Sequence, residues 1–321
     1  MKRIIATLLL PLAVLAIGQS DCESEPTPHP DAGPDTTVVA FDAIHQSYGS
    51  ENTRSVRAEV AFPAEGLKYE SITMHYALAC PEGGCDPWDR TAYINVIDET
   101  VDPALSVEVG RVITPYGVGY AWSMDVTELR PILTGTKVVE SFIDTWVNPG
   151  WLVDVSFEFV GGVPDREATH VIPLQRGYYT YGNPADPIDN HLLPVDVTIP
   201  DSATDAVVRV LATGHGFGYT ENCAEFCPKE HTLSLGSVTD TATPWRDDCA
   251  RAGAPDQAGT YWYSRAGWCP GDMVYPRTWE VGENLLPGNT QQFGYALQPY
   301  ENDVEGGNPY IIISAYLVLF E

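Results

Sequence analysis

Residues 152–159 read LVDVSFEF, so Val153, Val155, Phe157 and Phe159 fall on one side of an extended chain and Asp154, Ser156 and Glu158 on the other. A period of two makes this a strand in a sheet with one wet face. Further β-rich runs recur at 55–62, 69–78, 92–97 and 137–143, and again at 195–199, 206–211, 231–235, 292–297 and 310–320. The last, YIIISAYLVLF, could be a buried helix, but its branched and aromatic content favours a central strand. Helix signals are scarce, and 28 Gly and 26 Pro punctuate the runs as turns between strands would require. Many short strands without intervening helical patterns predict an all-β chain of sandwiches rather than a parallel α/β sheet. The stretch 161–190 carries VPD, RGYY and GNPADP and no long strand pattern, so the junction between two sandwiches is expected near its start. The expected division is an N-terminal domain over 38–162, a connection over 163–169 and a C-terminal domain over 170–321.

Six of the seven cysteines form local clusters, Cys80/Cys85, Cys223/Cys227 and Cys249/Cys269, with acidic and aromatic residues around them. Such spacing suits short disulfide-stapled loops; zinc is the rival use, but the first two pairs lack conventional finger spacing. Lys2 and Arg3 followed by the apolar run 4–17 and Ala16-Ile17-Gly18 read as a secretory signal peptide over 1–18. That run is too short to span a bilayer, and no later segment approaches the length a span needs. A secreted, periplasmic or cell-surface location is expected. Cys22, the odd cysteine, is a candidate lipid-anchored residue, although Ser20-Asp21 before it is a poor lipoprotein signal. Residues 19–37, which include ESEPTPHPDAGPD, are acidic, Pro-rich and poor in apolar anchors, and read as a disordered linker. A net charge of -27, from 44 acidic and 17 basic residues, argues against nucleic acid or an anionic membrane as partner.

Chemistry is sought in three loops. In CDPWDR, Asp89 is a candidate catalytic carboxylate, or else a structural acid paired with Arg90 or capping backbone N–H groups. Neighbours on a strand point to opposite faces, so Asp89 and Arg90 are expected to serve different partners. In CAEFC, Glu225 is either solvent-facing or aimed at a ligand, and Gly214 and Gly216 around His215 would let backbone or a sugar ring come close. His215 and His231 are metal-ligand candidates without a compact acidic cluster beside them; ordinary hydrogen-bonded histidines are the alternative. In SRAGWCPG, Arg265 and Trp268 suit a hydroxyl-rich ligand, while a Trp beside a disulfide also suits a core. No GxSxG, P-loop, dinucleotide fingerprint or HExxH is present. The residues alone leave a protein that binds or acts on carbohydrate, without choosing between the two.

CDPWDR, GRVITPYGVG (110–119), DTW (144–146), NCAEFC and SRAGWC occur in that order, and together they make the chain resemble the bacterial peptide-N-glycosidase F family over about 41–320. The resemblance implies two antiparallel eight-stranded jelly-roll sandwiches side by side, with a site in the cleft between them. It implies the pairings Cys80–Cys85, Cys223–Cys227 and Cys249–Cys269, and no metal or other cofactor. It implies an amidase that cuts the bond from an asparagine side chain to the innermost N-acetylglucosamine of N-linked glycopeptides or glycoproteins. Asp89, Glu225 and Asp144 match its catalytic acids, Asp144 standing where the family pattern has Glu. Trp88, Arg90, Trp146, Arg265 and Trp268 match residues lining or supporting the cleft, and His215 falls in a segment near the sugar-binding cleft. A catalytically silent glycan-binding protein on the same scaffold is the alternative. A cleft within one chain needs no second subunit, so a monomer is expected.

Overall fold

In the computed structural model, residues 29–302 and 306–321 are described. The signal segment 1–18, Cys22 and residues 19–28 of the expected linker lie outside them.

The YIIISAYLVLF run is strand β16 (Tyr310–Phe320), buried along all but its first residue. It is central, hydrogen-bonded on one side to β11 (Asp205–His215) and on the other to β9 (Ala168–Thr180). Burial on both faces explains why its sequence does not alternate. With β14 (Arg277–Glu280) these strands form the sheet β14-β11-β16-β9, and β10 (Val195–Thr198), β12 (His231–Leu235), β13 (Val238–Ala242) and β15 (Thr290–Leu297) form β10-β15-β12-β13. The first half of the chain builds the other pair of sheets. β1 (Thr36–Gln46), β3 (Tyr69–Ala79), β6 (Tyr120–Asp125) and β8 (Trp151–Gly161) form β1-β8-β3-β6. β2 (Ser55–Ala61), β4 (Thr91–Asp98), β5 (Leu105–Ile113) and β7 (Thr136–Ile143) form β2-β7-β4-β5. Every paired strand is antiparallel to its neighbours, and the sheets pack as two jelly-roll-like sandwiches. In β8, Val153, Val155, Phe157 and Phe159 are buried while Asp154, Ser156 and Glu158 are not, so one face is wet as the period requires.

Two expectations need correction. The stretch 161–190 does carry a long strand, β9, of 13 residues. Pro173 and Gly177 interrupt its pattern, but β9 is the edge strand of its sheet and Pro173 lies beside a shift in the β9–β16 register, both settings that tolerate a missing N–H. Residues 31–37 are likewise not a free linker. Ala32 bridges Lys68 in parallel, Gly33 N–H donates to the Lys68 carbonyl at 3.0 Å, and Lys68 N–H donates to the Asp31 carbonyl at 2.8 Å. β1 then starts at Thr36. Composition carries no sign of this anchoring, because backbone groups and the Asp35 carboxylate, rather than apolar side chains, make the contacts.

The two sandwiches share buried surface. Val171, Val207, Tyr316, Val318 and Phe320 from the second join the core cluster of the first. Arg111 on β5 is fully buried there: its Nε and Nη2 fork onto Glu108 at 2.6 and 2.9 Å. Its Nη1 crosses to Thr213 Oγ1 and the Ile312 carbonyl of the second sandwich. Both carboxylate oxygens and two acceptors are thereby satisfied, which a buried guanidinium requires. Among the described residues, no helix is long and apolar enough to cross a membrane.

Candidate active site

The Cys80–Cys85 disulfide closes a tight loop at the start of CDPWDR. Asp86, fully buried, organises the residues after it. Its Oδ1 accepts from the Trp88 N–H at 3.0 Å, and its Oδ2 accepts from Arg90 Nε at 2.8 Å and Thr145 Oγ1 at 2.7 Å. Arg90 is thus paired with Asp86, and Asp89 turns elsewhere. Asp89 faces Arg265, whose Nη2 lies 3.9 Å from its Oδ2. Burial pushes the Asp89 carboxyl above its ordinary value, opposed by a hydrogen bond from the Tyr116 phenol and by the Arg265 charge. Trp88 stands at the cleft with 57% of its surface exposed.

From the second sandwich, the Cys223–Cys227 staple presents Glu225 at the end of β11. The Ala224 and Glu225 N–H groups both donate to the Gly216 carbonyl, at 3.1 and 3.0 Å. Gly214 is required here: a β-carbon would lie 2.3 Å from the Ala224 carbonyl oxygen. The close approach is therefore backbone on backbone. Arg265 lies beneath, 1% exposed. Its Nε donates to Glu225 Oε1 at 3.0 Å, Nη1 to the Tyr263 carbonyl at 2.8 Å and Nη2 to the Thr260 carbonyl at 3.1 Å. The Trp268 and Phe226 rings flank it at 4.8 and 5.3 Å. Burial pushes the Glu225 carboxyl up to about 7; Arg265 opposes the rise and the Asp89 charge adds to it. Near neutrality this group exchanges a proton, with a second acid on the other side of a fixed guanidinium.

His215 is buried and stacked between Trp268 and Tyr310, at 5.1 and 5.3 Å. Burial, with the Arg111 and Arg265 charges adding, lowers its pKa to about 3, so the ring is neutral. Arg111 donates to Thr213 Oγ1, and the same hydroxyl lies 2.8 Å from His215 Nε2, so Thr213 ties the two side chains together. Trp268 is 3% exposed and its indole N–H donates to the Gly214 carbonyl at 2.7 Å. It supports His215 and Arg265 rather than offering a free face. Asp144 lines the cleft, its N–H held by the Thr91 carbonyl at 3.0 Å. Trp146 is absent from the cleft lining and stands at its lip, 52% exposed, against Tyr48. His231 lies on β12, its Nδ1 2.6 Å from the Tyr295 hydroxyl, in a different sheet from His215.

A cleft of about 320 Å³ therefore brings together Trp88, Asp89, Arg90, Asp144, His215, Glu225, Arg265 and Trp268. Three further residues shape it without standing out in the sequence: Asp86, Tyr116 and Tyr310. Asp86 had a signal, since an Asp two residues before an N–H and ahead of Pro is a turn-forming pattern. Tyr116 lies inside the GRVITPYGVG motif, and Tyr310 is hidden at the head of an apolar strand.

Residues 184–318 match the family profile described as Peptide-N-glycosidase F, C terminal, and residues 97–159 match Peptide-N-glycosidase F, N terminal. A peptide-N(4)-(N-acetyl-beta-D-glucosaminyl)asparagine amidase F of Elizabethkingia miricola is 28% identical over 303 residues, which is 88% of this chain and 82% of that protein. The solved structure of PNGase F, a glycosylasparaginase from Flavobacterium meningosepticum, superposes with a TM-score of 0.81 at 26% identity, covering 90% of this chain and 96% of that one. PNGF-II is similar at a TM-score of 0.77 and 18% identity, covering 89% of this chain and 65% of that one, a likeness of fold alone.

Proposed function

The chain belongs to the peptide-N-glycosidase F family, and we propose that it hydrolyses the amide between an asparagine side chain and the innermost N-acetylglucosamine of N-linked glycans. Water adds its oxygen to the side-chain carbonyl carbon, the C–N bond breaks, and the nitrogen leaves with the sugar as a glycosylamine that later loses ammonia. The peptide keeps an aspartate. An amide nitrogen leaves badly unless protonated, and its carbonyl is a poor electrophile, so the reaction needs a group to orient or deprotonate water and another to supply a proton.

The observation that supports these roles best is the convergence of Asp89 and Glu225, from different sandwiches, on the single buried Arg265. We assign Asp89 to the innermost sugar and the reacting centre. Glu225 holds and polarises the water, and its carboxyl, sitting near 7, can take or give the proton. Arg265 opposes negative charge that develops on the carbonyl oxygen, at little cost of reorganisation because hydrogen bonds to Glu225 and to the Tyr263 and Thr260 carbonyls already fix it. Trp88 supplies an exposed ring face for sugar packing, and Asp144 and Trp146 act at the lip. Three disulfides are consistent with a protein made for an oxidising compartment, which supports export to the periplasm, the cell surface or the medium.

The test is release of glycan from a labelled N-glycopeptide by the full chain, with the peptide product read by mass. Asn converted to Asp is the expected outcome. Binding of the glycopeptide without release would overturn the amidase reading and leave a glycan-binding protein.

A further inference from the structure

The loop 47–54, between β1 and β2, carries no mark of function in the sequence, yet it packs onto the loop that holds Asp144 and Trp146. Tyr48 N–H donates to the Val147 carbonyl at 3.0 Å, and the Arg54 carbonyl accepts from the Ile143 N–H at 3.0 Å and from Gln46 Nε2 at 2.7 Å. Arg54 Nε is fixed by Asn52 Oδ1 at 2.9 Å. Its guanidinium carbon then lies 4.3 Å from the Trp146 ring centroid and 4.9 Å from that of Tyr48, while Nη1 lies 3.5 Å from Asp144 Oδ1. The two rings touch each other at 5.2 Å.

Resting on the amidase reading, we propose that Arg54 is a positioning residue that holds Asp144 and Trp146 as one glycan-gripping unit on this lip of the cleft. A half-exposed indole has no core to fix its plane. A guanidinium packed on it can fix that plane and leave area over for a sugar ring. The same cation sets where the short Asp144 side chain stands, so one residue governs a stacking surface and an acceptor for sugar hydroxyls together. Lysine cannot do both, because it has charge without a flat face. The proposal places Arg54, Tyr48 and their loop in substrate recognition rather than in chemistry.

The experiment uses the full chain carrying Asp89→Asn, in which cleavage is slowed, and reads the Kd of a fluorescent N-glycopeptide by anisotropy. Arg54→Gln and Asp144→Asn are each expected to weaken binding about tenfold, and the double variant by about the same factor rather than the ~100-fold product, because residues acting as a unit are not additive. In the parent background Arg54→Gln is expected to raise KM with kcat within about threefold, as loss of uniform binding does. Multiplying effects, a loss carried in kcat, or unchanged binding by Arg54→Gln would each overturn the proposal. Arg54→Lys, which keeps the charge, is expected to bind about threefold more weakly, and binding equal to the parent would also overturn it, even if the Gln variant failed to fold. A parent protein that binds glycopeptide but releases no glycan refutes the amidase reading and leaves the Arg54 result to stand by itself. Absence of binding by both parent and Asp89→Asn overturns both.

Discussion

Replacing Glu225 by Gln should stabilise the protein at alkaline pH while inactivating it. The Glu225 carboxyl is raised from 4.5 to about 7 in the folded protein, chiefly by burial. A group raised on folding contributes stability that is fully present below its unfolded value and is lost as pH rises through the folded one. Here that window runs from 4.5 to about 7, the reverse of a salt-bridged surface acid. A rise from 4.5 to about 7 corresponds to ~3 kcal/mol of folded-state penalty once the group is ionised, at about 1.4 kcal/mol per pH unit. The side chain is 16% exposed, so solvent screens little of this. Glutamine has the shape of the protonated acid, and its carbonyl oxygen can still accept from Arg265 Nε. The stability difference between Glu225→Gln and the parent should therefore move by ~3 kcal/mol in favour of the variant between about pH 4.5 and pH 9. In thermal melts that is roughly 5–10 °C, whatever constant offset the substitution introduces. Urea titrations at both ends of the range give the same quantity. A difference that stays constant with pH would show that Glu225 ionises as freely folded as unfolded, and the proton-exchange role would fall with it.

Asp89→Asn keeps shape and removes the charge, and should lower kcat/KM for glycopeptide by ~10²–10⁴-fold without raising KM; activity within about tenfold of the parent would sink the assignment. Arg265→Lys cannot reproduce a fork that reaches Glu225, Tyr263, Thr260 and Asp89 at once, so ~10²-fold or more should be lost from kcat, with a lower Tm, in the same release assay. Gly214→Ala would set a methyl 2.3 Å from the Ala224 carbonyl, and should cost ~1–3 kcal/mol in denaturant titrations together with displacement of Glu225 and loss of activity.

Strand positions were legible in β8, where a long alternation marks one wet face, and in β16, where the run is almost wholly apolar. Others were not: β9 is interrupted at Pro173 beside a register shift, β1 contains shifts between Val39 and Ile44, and β6 alternates over only six residues. The stapled loops announced Asp89, Glu225 and Arg265 because each sits within or beside a cysteine pair. Nothing local announced that Arg90 would turn to Asp86, since that choice depends on Thr145 arriving from a loop 59 residues later in sequence. Arg54 and Tyr48 were invisible for the same reason. Their meaning lies in what they touch across the fold, and SYGSENTR alone is an ordinary polar turn.

The guanidinium of Arg111 is anchored in one half of the chain and finishes its hydrogen bonding in the other. Such a residue makes the halves poor candidates for exchange between relatives. A graft that brought a second half lacking a hydroxyl at position 213 would leave one N–H of that guanidinium without its acceptor in a dry seam and release the imidazole above it. Divergence in this lineage should therefore be freest in the outer loops, while the junction itself can change only by paired steps.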